Sequence, residues 1–162
     1  LEKQATDPSV FPGWSIHLLQ PSDPTDLHSP GFALIPKEGE GKNYGKKHPR
    51  PDIENCLPVH EYLSFLQASK NDPSSPYFQE SGMTPEDWIM AFMTQLTETG
   101  EPMDSYQNNM DGMTYLIGAL FPFFKFPVPS IYWERDTRKV MCESVLTDCQ
   151  SIGGGARFLV TV

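Results

Sequence analysis

Cysteine is scarce in this chain, basic charge is outnumbered, and no apolar run is long enough to cross a bilayer. Three cysteines, Cys56, Cys142 and Cys149, are too few and odd in number for a fold built on disulfides. Twelve Lys and Arg stand against 21 Asp and Glu, a net charge of −9, so the surface repels phosphate backbones and anionic lipid. This argues against nucleic acid as a partner. The longest apolar stretch, "YLIGALFPFF" at 115–124, falls well short of the about 20 residues a spanning helix needs. Pro122 would break a helix within it, and Lys125, Pro127 and Pro129 follow at once. No transmembrane segment is expected.

Catalytic and cofactor signatures are equally thin. There is no N-x-S/T sequon, no G-x-x-x-x-G-K-[ST] and no G-x-G-x-x-G. Gly153, Gly154 and Gly155 precede a strand rather than a helix, so a flexible connector accounts for them. The four histidines, His17, His28, His48 and His60, are scattered, and "HEYLS" lacks the second histidine of a zincin helix. No metal site is expected, and no motif names a cofactor. Leu1 in place of an initiator methionine sets the expectation of a processed or secreted chain. Cys142 and Cys149 could then pair across a short loop; the alternative is three buried thiols in a reducing compartment.

What the chain does have is proline and glycine, 16 and 12 of 162 residues, which promise turns without reaching low-complexity disorder. One domain over 1–162 is expected, with 1–13 as an extended arm and the lysine-rich segment 37–51 as a mobile basic loop. "GWSIHLLQP" offers Trp14, Ile16 and Leu18 at a spacing of two, a half-buried strand, and "GFALIP" a second. "PVHEYLSFLQAS" sets Val59, Tyr62, Leu63 and Leu66 on one helical stripe behind Pro58. "MTPEDWIMAFMTQLTETG" carries a capping Thr84, Pro85 at the first helical position and Glu86 and Asp87 at the positive helix end. Trp88, Ile89, Phe92, Met93 and Leu96 form its predicted apolar face, and Gly100 ends it. Tyr106, Met110, Met113 and Ile117 suggest a third helix over about 105–120, with Asp104 and Asp111 exposed at its start. "SIYWER" and "KVMCESV" read as a hairpin turning near Asp136, and "RFLVTV" as a final strand. The predicted fold class is α+β, an antiparallel sheet of about five short strands with three helices inserted on one face.

Two functional readings follow. In the first the chain is a non-catalytic binding or structural module, a subunit with a protein partner or oligomer, or with a pocket for a hydrophobic small ligand. Its binding residues are Phe121, Phe123, Phe124 and Phe126, presented between prolines that fix the backbone, together with Trp88 and Met93. In the second it is a small enzyme. Cys56 ahead of a helix start would be the thiol nucleophile and His60 its base, or an aromatic-lined pocket would act on a hydrophobic ligand. Loss of activity on alkylating Cys56 separates the two.

Overall fold

A computed structural model describes residues 16–19, 57–75, 77–106, 112–119, 128–148 and 154–161. Its elements, in chain order, are β1 (His17–Leu19), α1 (Val59–Ser69), β2 (Ser81–Gly82), α2 (Pro85–Thr99), β3 (Ser105–Tyr106) and β4 (Met113–Tyr115). The hairpin of β5 (Val128–Glu134) and β6 (Lys139–Val145) comes next, then β7 (Gly154–Ala156) and β8 (Phe158–Thr161). The class is α+β, as expected. The arm 1–13, the basic loop 37–51, "GFALIP", Trp14, Cys56 and Phe121, Phe123, Phe124 and Phe126 lie outside the described residues.

β5 organises the larger sheet. One edge pairs along its whole length with β6, from Val128 opposite Val145 to Glu134 opposite Lys139. Its other edge is divided between β4, antiparallel at Thr114 and Tyr115, and β3, parallel at Ser105 and Tyr106. β7 then pairs with β4 in parallel. The smaller sheet is antiparallel, with β8 between β1 and β2. Two sheets, one of them mixed, thus replace the single antiparallel sheet expected. A single residue, Arg157, separates β7 in one sheet from β8 in the other.

Side chains alternate across a strand, so β5 has two buried faces. Val128 and Tyr132 face α1 with Val59, Tyr62, Met113, Tyr115 and Ala156. Ile131, with Trp133 at its margin, faces α2 with Trp88, Ala91, Phe92 and Leu159. The helices therefore cover opposite faces rather than one.

Among the described residues the span predicted for a third helix holds strands instead: β3 stands at 105–106 and β4 at 113–115, where Met113, Thr114 and Tyr115 are all buried, while 107–111, with Met110 and Asp111, lie outside the described residues. A strand with neighbours on both edges and core on both faces shows no alternation, and the large side chains around it fall by coincidence at helical spacing. The apolar run at 115–124 begins as core, since Tyr115, Leu116 and Ile117 are buried; residues 120–127 lie outside the described set. Gly154 and Gly155 belong to β7 rather than to a connector. A Cβ at Gly154 would run into the Tyr115 ring and hydroxyl, which is why glycine stands there.

Candidate functional site

α2 starts as its sequence requires. The Asp87 amide donates to Thr84 Oγ1 at 3.3 Å, and the Thr84 amide donates to Asp87 Oδ2 at 2.8 Å, closing a capping box. Gly100 ends the helix in the left-handed conformation, φ 77°. The buried stripe is Trp88, Ala91, Phe92 and Gln95. It shares Trp88 and Phe92 with the predicted face but is rotated, which turns Ile89 and Met93 outward. Ile89, Met90 and Met93 are 50%, 67% and 53% exposed. β1 shows a similar inversion, with Ile16 and Leu18 outward and Leu19 packed inward.

Beneath α2 lies a buried polar cluster centred on Asp104, which the sequence suggested would be exposed. Trp88 Nε1 donates to Asp104 Oδ2 at 2.7 Å, and Thr114 Oγ1 donates to the same oxygen at 2.5 Å. Arg157 Nη2 donates to Oδ1 at 2.5 Å, and Arg157 Nε reaches Thr114 Oγ1 at 3.3 Å. The side chains of Arg157 and Asp104 are 7% and 0% exposed. The Asp104 carbonyl also accepts the Trp133 amide at 3.0 Å, and its backbone has φ 52°. One carboxylate thus ties α2, the entry to β3, β4 and the link between the sheets. Sealed from water and fully engaged, it is a positioning device rather than a reaction centre. A lone arginine amid Ala156, Phe158 and Leu159 was the sequence signal for it, because a buried cation needs a counter-charge.

A second cluster joins β1 to the start of α2. His17 Nδ1 contacts Asp87 Oδ1, with the side chains 30% and 10% exposed, while Thr84 Oγ1 donates to Asp87 Oδ2 at 2.8 Å. The carboxylate orients the imidazole as in a hydrolytic triad. A nucleophile must meet the ring nitrogen far from the carboxylate, however, and the Thr84 hydroxyl is spent on Asp87 itself.

His60 sits exposed in the first turn of α1. Its amide and its Nδ1 both reach the Thr147 carbonyl, at 2.8 and 2.9 Å. A carbonyl only accepts, so Nδ1 is the nitrogen that carries a proton in this contact. Trp88 is fully buried, whereas Met93 lies on the surface. Cys142 is a free, exposed thiol on β6; partial burial raises its pKa, and the neighbouring Glu143 charge adds to this. Among the described residues no group of three or more His, Cys, Asp or Glu side chains could hold a metal ion. No helix among them is long and apolar enough to cross a membrane. No family model, curated protein or solved structure matches this chain.

Proposed function

We propose that the chain is a non-catalytic protein-binding module whose contact surface is the outer face of α2. The observation that carries this reading is the run of Ile89, Met90 and Met93, each at least half exposed on one side of that helix. An apolar patch of this kind costs hydration while it stays bare, and methionine adapts to partners of varied shape. Trp88 serves it from below, holding the helix to Asp104 so that the outer residues are presented on a rigid support. Phe121, Phe123, Phe124 and Phe126, which lie outside the described residues, remain a second candidate binding set within this reading. A photo-crosslinking residue at Met93, compared with one at Ser64 on α1, tests it. Crosslinks to one protein at position 93, lost when Ile89 and Met90 are serine, support the reading. Equal labelling from both positions sinks it.

A second reading, the thiol enzyme, rests on the orientation of His60, whose Nδ1 is held by the Thr147 carbonyl so that Nε2 is the ring nitrogen not engaged in that contact. Rapid alkylation of Cys56 at neutral pH with loss of a hydrolytic activity would support it; an unaltered Cys56→Ser variant would end it.

A further inference from the structure

β6 is the outer strand of the larger sheet, and among the described residues its far edge pairs with nothing. Which backbone groups face outward there follows from its neighbour. The Trp133 amide donates to Asp104, and the Pro129 carbonyl accepts the Leu116 amide, so both residues point away from β6. Their partners across the ladder, Val140 and Ser144, are therefore in non-hydrogen-bonded pairs. By alternation, the amides and carbonyls of Val140, Cys142 and Ser144 point off the open edge. The flanking side chains are accessible, with Val140 42% exposed and Lys139, Cys142, Glu143 and Ser144 also exposed.

We infer that this edge pairs antiparallel with the same edge of a second copy of the chain, about a two-fold axis at Met141. The charge pattern selects the occupant and the register. Antiparallel pairing must set outward-facing residues opposite one another, which restricts the two-fold registers covering most of the strand to axes at Met141, Cys142 or Glu143. An axis at Glu143 sets two carboxylates face to face. An axis at Cys142 leaves Lys139 opposite Val145. The axis at Met141 alone sets Lys139 of each copy opposite Glu143 of the other, in the closer, non-hydrogen-bonded type of pair. Val140 and Cys142 then exchange backbone hydrogen bonds across the axis, and the two methionines meet at its centre. Glu143 has capacity for this contact: Tyr132 Oη reaches only its Oε1, at 3.3 Å. Lys139 makes no ion pair among the described residues. The outcome is one sheet running β7-β4-β5-β6 and on through β6-β5-β4-β7 of the second copy. The surface is separate from the outer face of α2, so each proposal stands or falls alone.

Sedimentation velocity of the full chain under reducing conditions, over a range of concentrations, tests the pairing. The wild type should sediment as a concentration-dependent dimer. Lys139→Glu and Glu143→Lys should each weaken association by roughly tenfold or more, and the double charge reversal should restore it. Val140→Pro removes an outward donor without touching the β5–β6 ladder, so it should yield a monomer whose urea midpoint equals that of the wild type at concentrations low enough for the wild type to be dissociated. Ile89→Ser should leave association intact. A wild type that stays monomeric overturns the inference. So does a double reversal no better than the single variants, or an edge that binds a different protein while the chain remains monomeric.

Discussion

Replacing Asp104 with asparagine should leave a protein close to unfolding. Asparagine tolerates the left-handed backbone at φ 52°, so the variant tests the carboxylate rather than the turn. The wild-type carboxylate accepts from Trp88, Thr114 and Arg157, and neither member of the ion pair is more than 7% exposed. The amide keeps one acceptor, turns an N–H group toward groups that are themselves donors, and strands the Arg157 cation without a counter-charge. Breaking a buried pair from one side costs about 3–5 kcal/mol, against a total stability of about 5–15 kcal/mol for a typical protein. Arg157→Leu alone should cost a similar amount. The double variant Asp104→Asn/Arg157→Leu no longer buries a lone charge, leaving unsatisfied donors at about 1–3 kcal/mol. It should therefore be less destabilised than the two single costs added together, by about 3 kcal/mol or more, the upper end of the coupling seen between contacting residues. Urea unfolding followed by tryptophan fluorescence reads this directly, with unchanged m-values as the control. A loss below about 1 kcal/mol for Asp104→Asn, or additive single variants, would refute the assignment of Asp104 as the charged tie between the layers.

Thr84→Ala removes the side-chain half of the capping box and should cost about 1 kcal/mol by denaturant melt, where no change would show the cap to be incidental. Phe92→Ala should cost about 3–5 kcal/mol while its neighbour Met93→Ala stays within about 0.5 kcal/mol of wild type; equal costs would mean the helix faces the sheet differently. Gly154→Ala forces a methyl against Tyr115 and should destabilise by about 1–3 kcal/mol or more in the same assay. Burial favours the neutral thiol of Cys142, so with Cys56 and Cys149 replaced by serine its labelling by a disulfide reagent should be slow at neutral pH. The rate should climb only as the pH passes above the ordinary thiol range, and labelling faster than a free thiol would contradict the raised pKa.

Local chemistry made the two helices and the long hairpin readable. The T-P-E-D start of α2 carries its own cap, and Gly100 its own stop, so neither end needs the rest of the protein. The stripe of Val59 and Tyr62 in α1 has no rival phase among its neighbours. "SIYWER" and "KVMCESV" each supply enough consecutive residues for strand composition to show, and the turn between them, Arg135–Arg138, lies where polar residues gather.

The rotation of α2 was not readable, because Trp88 and Phe92 belong to both candidate stripes. The choice between Ile89 with Met93 and Ala91 with Gln95 depends on where Trp133 and Asp104 stand. Phe92 packs on Trp133 at 5.7 Å between ring centroids, and Trp88 hydrogen-bonds to Asp104, so the helix turns to satisfy both. β2, β3 and β4, two or three residues each, are too short to display a period. Their existence depends on partners in β5, β7 and β8 that lie far along the chain. Asp104 looked like a surface acid because its cation is 53 residues away. Capping and turn residues act within a few positions of themselves and so can be read in order. Which face of a helix is dry, and which acid loses its water, is settled only when distant strands close over it.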